Sequence, residues 1–130
     1  MERHLGRFAP YLYAVLRIVA GLMFSLHGTQ KLFGWPGDRP PRHDASAIIA
    51  GVIELGGGVL IAIGLWAGWA AFLASGLMAV AYFWRHQPEA FLPIVNRGEL
   101  AVLYCFLWLF VAAQGAGVWS VQGKRDRAPL

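Results

Sequence analysis

Four long apolar segments alternate with short polar ones along the chain. The apolar segments cover residues 10–33, 45–65, 67–84 and 99–121. Each has about the 20 residues that an α-helix needs to cross a hydrocarbon core about 30 Å thick. Because the connections are short, consecutive helices must run in opposite directions. The pattern therefore predicts one all-α membrane domain over residues 1–130, built as an antiparallel four-helix transmembrane bundle.

Local signals mark the ends of these predicted helices. Pro10 suits a first helical turn, and the run Gly-Trp-Pro-Gly at 34–37 ends the first segment. Asp44 is the expected N-cap of the second helix. Asn96 and Glu99 have the spacing of a capping box, which predicts that the fourth helix begins at this point.

The composition favours lipid as the solvent of this chain. Hydrophobic residues make up 58% of the sequence and charged residues only 14%, with a mean hydropathy of +0.52, whereas soluble domains are about a quarter charged. The net charge of +4 comes mostly from arginines near segment ends, which predicts interface anchors and no nucleic-acid partner. A single cysteine excludes an internal disulfide. No zinc pattern is present either, so we expect no metal site and no intrinsic cofactor.

Four polar or charged side chains, His27, Gln30, Lys31 and Glu54, lie within the first two apolar segments. A charge in hydrocarbon costs about 3 to more than 10 kcal/mol. The first helix runs toward the face that carries the two longer connections, here called the loop face, and the second starts from it. At 1.5 Å per residue, His27 lies about 9 Å and Glu54 about 13 Å below that face. The sequence therefore predicts that these four residues form one ligand-binding or proton-handling site.

Each of these residues also has a purely structural explanation. Lys31 can snorkel to the headgroups, His27 can pack between helices, and Glu54 can simply pair with Lys31. A secondary polar cluster is expected at the loop face, where snorkelling, interfacial placement or helix capping would also explain its members, Arg85, His86, Asn96 and Glu99.

Two further polar residues are predicted near the opposite face, which carries both chain ends and is here called the terminus face. Arg17 and Gln114 should lie at the same depth there. Snorkelling of the arginine, or a structural hydrogen bond between the two side chains, would account for them.

The predicted site suits a two-proton redox partner such as a quinone. Quinone carbonyls need hydrogen-bond donors and their reduction needs proton carriers, and histidine supplies both near neutral pH. Aromatic residues near the loop face can form the apolar wall, namely Phe24, Phe33, Trp35, Tyr82, Phe83 and Trp84. Because the sequence contains no metal set, flavin motif or cysteine pair, a quinone function requires a partner protein that carries the redox centre.

Three groups of residues spread over the chain carry a family resemblance. They are Arg17-x3-Gly21-x2-Phe24-x2-His27-Gly28-x2-Lys31-Leu32-Phe33-Gly34, then Gly51-x2-Glu54-Leu55-x-Gly57, and finally Asn96-x-Gly98-Glu99-Leu100-Ala101 with Tyr104 and Gly115-x-Gly117-x-Trp119-Ser120. These runs resemble the DoxX family of small bacterial membrane proteins. The resemblance implies a four-helix inner-membrane protein. Relatives include a subunit of a thiosulfate:quinone oxidoreductase and a membrane component associated with thiol and superoxide detoxification.

Three functions are compatible with this sequence. The first is a membrane subunit or accessory of an oxidoreductase system that binds quinone or a similar small molecule near the loop face. The second is a non-catalytic assembly factor or anchor, in which the polar residues only hold the bundle together. The third is a small proton-coupled transporter, which would have to oligomerise, and the glycine-rich second segment could support such a homo-oligomer.

The basic residues give only a small preference for one orientation in the bacterial inner membrane. With four spans both termini share one side. That side carries basic residues in both terminal segments: Arg3, Arg7, Lys124, Arg125 and Arg127. The loop face carries the same number when Lys31 is included, so only the arginine-rich C-terminal tail favours cytoplasmic termini.

Overall fold

The computed structural model describes residues 1–125, and side chains for residues 1–123. The described part is all-α. Four main helices are α2 (Ala9–Phe33), α3 (Ala45–Ile63), α4 (Ala67–Ala81) and α6 (Glu99–Gln114). Three short helices accompany them, α1 (Glu2–Leu5), α5 (Pro93–Asn96) and α7 (Val121–Arg125), along with a 3₁₀ turn at Gly6–Phe8 and a π-helical turn at Tyr82–His86. Arg127, which entered the orientation prediction, lies outside the described residues.

Three of the described helical segments are long and apolar enough to cross a membrane. They are Glu2–Phe33, Ala45–Ile63 and Ala67–His86, and the helix Glu99–Gln114 is apolar but shorter. The second and third segments lie within two residues of the predicted bounds, whereas the first begins at Glu2 and not at residue 10. The fourth was expected to continue to residue 121. Gly115 ends this helix at φ 80°, and a 16-residue helix rises only about 24 Å.

Helices α2 and α3 are in close contact because small residues line both sides of their interface. A Cβ added at Gly58 would lie 2.5 Å from the Gly21 carbonyl oxygen, and one added at Gly51 would lie 2.7 Å from Cγ of Leu32. Glycine therefore lets the two backbones approach to a separation that no larger residue allows. Gly51 and Gly58 of the glycine-rich second segment therefore pack against α2 within the chain.

Helix α6 contacts α2 mainly through aromatic side chains. Phe24 of α2 lies with its ring centroid 5.2 Å from those of both Tyr104 and Trp108, and Tyr13 meets Phe110 edge-on at 5.9 Å. The helices thus follow one another around the bundle, with α3 beside α2 and α4 between α3 and α6. Large rings close the remaining side between α6 and α2.

The helix-start predictions had different outcomes. Asp44 caps α3 as expected, accepting a hydrogen bond from the Ala47 amide at 3.2 Å. The hydroxyl of Ser46, the Ala47 amide and Arg42 together hold the pKa of Asp44 below its ordinary value of 3.8. The capping box at Asn96 and Glu99 was wrong.

The N-cap of α6 is Gly98 and Glu99 is its exposed first residue. Asn96 instead ends the short helix α5, and its side chain is used within the preceding loop.

Exposed aromatic residues mark two levels of the bundle. Trp66, Trp69 and Trp119 are 58–81% exposed at the terminus face. At the loop face the strongly exposed aromatics are Phe33, Trp35, Phe83, Trp84 and Phe91. Tryptophan and other aromatic rings are favoured at membrane–water interfaces. Two such belts of aromatic residues, here called girdles, are expected for a bundle that spans a bilayer.

Candidate functional site

A buried ion pair joins the first two spans below the loop face. The ammonium of Lys31, at the end of α2, donates to both carboxylate oxygens of Glu54 at 2.6 Å. The side chain of Glu54 is 3% exposed and that of Lys31 is 29% exposed. Lys31 therefore compensates the carboxylate charge within the bundle and connects it to the membrane surface. The prediction that these two residues meet is confirmed.

His27 lies one helical turn below Lys31 and faces the fourth span. Its ring meets the ring of Tyr104 edge-on, with centroids 6.2 Å apart and planes at 87°. His27 is half-buried. Among the described residues neither of its ring nitrogens has a hydrogen-bond partner, so one donor or acceptor on each nitrogen remains free for a ligand or a proton.

Tyr104 completes this arrangement and was not singled out as a site residue in the sequence. Its ring is stacked on Trp108 at 5.5 Å and 18° and packs against Phe24 at 5.2 Å, and only 5% of the residue is exposed. These contacts fix the ring while no described residue hydrogen-bonds its hydroxyl group. Glu54 lies on the neighbouring helix α3, where it pairs with Lys31, one turn above His27. Three helices thus contribute a carboxylate, an imidazole and a phenol to the loop-face half of the bundle.

The signal that identifies Tyr104 is its depth. It is five residues into the fourth helix, or about 7.5 Å below the loop face, close to the level of His27. An aromatic residue in an apolar run gives no polar signal of its own. Only the helix packing distinguishes it from the other rings of the same segment.

Gln30 does not join the ion pair. Its side-chain amide donates to the Pro36 carbonyl oxygen at 3.0 Å and so holds the turn that follows α2. The four residues predicted to act together are therefore divided, with His27, Lys31 and Glu54 near one another and Gln30 in the turn.

The secondary polar cluster is also divided. His86 Nδ1 lies 3.0 Å from the Asn96 carbonyl oxygen, so these two residues belong together. Arg85 is exposed and donates to the Ser46 hydroxyl at 3.4 Å, and Glu99 is exposed. The last two lie at the surface, as their structural explanations proposed.

The aromatic wall predicted for the ligand is largely absent from the interior. Only Phe24 is in the core, at 1% exposure, and Tyr82 is half-buried against the loop. The other four rings point outward and are 62–74% exposed: Phe33, Trp35, Phe83 and Trp84. They form the interfacial girdle because they lie on the outer sides of their helices. The rings beside His27 are Tyr104 and, below it, Trp108.

The polar centre of the terminus face is Arg17, and its environment differs from both predictions. Arg17 is fully buried, so it does not snorkel, and Gln114 is exposed and is not its partner. The guanidinium donates at 2.6–3.2 Å to four backbone carbonyl oxygens, those of Ile61, Ala62, Val118 and Trp119. Two of these acceptors lie at the C-terminal end of α3, where carbonyl groups have no partner within the helix and the helix dipole also favours a cation.

Residues 115–120 form a turn over this end of the bundle. Gly115, Gly117 and Trp119 all have positive φ, at 80°, 68° and 53°. The Tyr13 hydroxyl donates to the Gly115 carbonyl oxygen at 2.6 Å. The backbone amide of Gln122 donates to the Gly64 carbonyl oxygen at 3.0 Å. The Gly-x-Gly pattern therefore provides the backbone conformation that directs carbonyl groups at Arg17.

A groove of about 380 Å³ also lies at the terminus face. It is lined by uncharged residues at the start of α4, at the end of α6 and in the segment that follows α6, among them Trp66, Trp69, Phe72 and Ala112. It lies at the opposite face of the bundle from the ion pair. The groove and the polar site are therefore separate features.

Comparison with known proteins identifies relatives of this chain. The DoxX family matches residues 12–87, which include Arg17, His27, Lys31 and Glu54. An uncharacterized protein from Haemophilus influenzae is 41% identical over 128 residues, which cover 93% of this chain and 96% of the relative. No solved structure matches the chain.

Proposed function

The chain is a multi-pass membrane protein of the DoxX family, and we propose that it serves an oxidoreductase system as a membrane subunit or accessory. In this proposal it binds a quinone or a similar small molecule beside His27, Tyr104 and Glu54. The observations that support it are the edge-on contact of the His27 and Tyr104 rings and the buried Lys31–Glu54 ion pair in the same half of the bundle.

The available hydrogen-bonding groups fit a quinone headgroup. A quinone carbonyl accepts a hydrogen bond, and the free groups of His27 and Tyr104 can each donate one. When the ring is reduced it takes up two protons, which His27 can pass on at neutral pH. The carboxylate of Glu54, with its charge balanced by Lys31 at 2.6 Å, can take up the second proton and pass it to the reduced ring. The planar rings of Tyr104 and Trp108 suit a flat conjugated ligand.

We propose that the electrons come from another protein. The sequence contains one cysteine and therefore no internal dithiol pair, and residues 1–125 contain no group of metal-ligating side chains. We propose that a partner carrying the redox centre approaches from the loop face. The contribution of this chain is to bind the small molecule, orient it and move protons.

One observation favours a second function. The Lys31–Glu54 pair connects α2 to α3 and satisfies both charges, which is also what an assembly factor or anchor would need to hold its bundle together. In that case substitution of either residue lowers the amount of folded protein without a specific effect on a ligand.

The test compares bound quinone in wild-type protein and in variants that remove one polar group. The protein is extracted from its native membrane into lipid nanodiscs, and quinone is quantified per folded protein. We expect His27→Ala, Glu54→Gln and Tyr104→Phe each to reduce quinone binding about tenfold, because one hydrogen bond contributes about 1 kcal/mol or more. Tyr11→Phe is the matched control, since it removes an exposed hydroxyl at the opposite face.

The outcomes separate the two functions. Equal quinone content in all variants, or no quinone in any of them, contradicts the binding proposal. A lower melting temperature of Glu54→Gln with unchanged quinone per folded molecule supports the assembly function instead.

We also propose that the protein resides in the bacterial inner membrane with both termini in the cytoplasm. Basic residues in the terminal segments support this orientation, under the positive-inside rule.

A further inference from the structure

The connection between α4 and α6 presents an apolar surface, although the sequence predicts a polar loop. Four of its side chains are 54–82% exposed: Phe91, Leu92, Ile94 and Val95. We propose that these four residues, here called the apolar foot, insert into the headgroup region of the bilayer beside the loop face. The partner of this surface is lipid, and the proposal is independent of any quinone.

The apolar foot is held in a defined conformation by the side chain of Asn96. Asn96 is 1% exposed and donates to the Ala90 carbonyl oxygen at 2.9 Å and to the Tyr82 hydroxyl at 3.1 Å. It also accepts from the Gly98 amide at 2.8 Å. These bonds cross-link both ends of the loop to the end of α4. The hydrogen bonds of Asn96 therefore hold the loop in the conformation that exposes its apolar side chains.

The backbone at Arg97 ends α5 abruptly. Arg97 has φ 60°, a left-handed conformation that residues other than glycine adopt less readily. This conformation lets the chain leave α5 and enter α6 within two residues.

The position of the apolar foot favours lipid as its partner. The preceding residues Phe83 and Trp84 are 62% and 74% exposed and belong to the girdle at the loop face, so the foot continues a surface that already contacts the bilayer. Arg85 and Arg97, both exposed, flank it and can pair with phosphate groups. Each large apolar side chain that leaves water for the bilayer favours this placement.

The experiment measures the environment of the foot directly. In a Cys105→Ser background, a single cysteine at Ile94→Cys is labelled with bimane, and the full chain is reconstituted into pure phospholipid vesicles. Glu89→Cys is the matched control, because it is an exposed polar position on the same loop. We expect iodide in the water to quench the Ile94 label several-fold less than the Glu89 label, and lipids brominated near the headgroup to quench it several-fold more.

A variant of Asn96 provides a second measurement. Asn96→Ala removes three hydrogen bonds of the loop and should raise the iodide quenching of the Ile94 label toward that of the Glu89 label. Such an increase in quenching would show that membrane insertion depends on the loop conformation that Asn96 stabilises.

Three results would overturn the proposal. One is equal iodide quenching at positions 94 and 89 in vesicles. Another is shielding of position 94 that appears only in native membranes, which would identify a protein partner. The third is shielding that weakens as the lipid-to-protein ratio rises, which would identify a second copy of this chain.

Discussion

Two buried charges near opposite faces are stabilised in different ways. Glu54 has a charged partner, Lys31, at 2.6 Å, and the pair can reach the surface through the lysine. Among the described residues no carboxylate pairs with Arg17, and its guanidinium donates to four carbonyl oxygens. A guanidinium has five donors in a planar fork, so it can bridge a helix end and a turn at once.

This geometry predicts that lysine cannot replace Arg17. Arg17→Lys keeps the charge but cannot reach two helix carbonyls and two turn carbonyls together, so we expect a loss of about 3 kcal/mol or more in unfolding free energy. The measurement is thermal unfolding in detergent, with Arg7→Lys as a control because Arg7 is exposed and contacts the Phe8 ring from outside the bundle. Equal melting temperatures for the two variants would contradict this role of Arg17.

At the level of elements, the packing of α2 against α3 positions Lys31 over Glu54. The two backbones approach most closely where glycine or another small residue lies on each helix. At Gly58 a Cβ would meet the Gly21 carbonyl oxygen at 2.5 Å and the Ser25 amide nitrogen at 2.6 Å. Backbone atoms cannot move aside as a flexible side chain can. The distance between the helices, and with it the ion pair, depends on these positions.

Two alanine substitutions in α3 test this dependence. Gly58→Ala should destabilise the protein by about 1–3 kcal/mol, because it overfills a packed interface. Gly56→Ala, two residues away, faces open space and should be neutral or stabilising by up to about 1 kcal/mol, since alanine is the better helix former. Both are measured as melting temperatures in nanodiscs. If both variants lower stability equally, close packing at Gly58 is not the cause.

On the scale of the whole molecule, helix α2 packs against its two neighbours in different ways. Small residues bring α2 and α3 together, whereas α2 and α6 are bridged by rings such as Phe24 and Tyr104. The candidate site lies on this second side, with His27 on one helix and Tyr104 on the other.

The orientation of the whole bundle gives a further prediction. If both termini are cytoplasmic, green fluorescent protein fused to the C-terminus should be fluorescent, and alkaline phosphatase fused at the same position should be inactive. A second pair of fusions within residues 38–43 should behave in the opposite way. Active phosphatase at the C-terminus would reverse the proposed orientation.

Much of the architecture follows from the sequence because the relevant forces are local or one-dimensional. Runs of about 20 apolar residues determine the spans, Asp44 determines where α3 begins, and antiparallel order determines that Lys31 and Glu54 lie toward the same face, within reach of a long lysine side chain. A carboxylate in hydrocarbon needs compensation, so its pairing with the nearest cation could be predicted. These inferences need hydropathy, helix rise and charge, all of which can be read along the chain.

Other features depend on which sides of the helices meet, and only the tertiary structure decides that. The end of α6 at Gln114 follows from a turn whose carbonyl groups bind Arg17, a residue about a hundred positions away. Tyr104 joins the site, while Gln30 and the outer aromatic rings do not. Depth along a helix is given by residue number, but rotation about its axis is set by close packing with neighbours. In lipid, where both sides of a helix can be apolar, the hydrophobic pattern does not reveal that rotation.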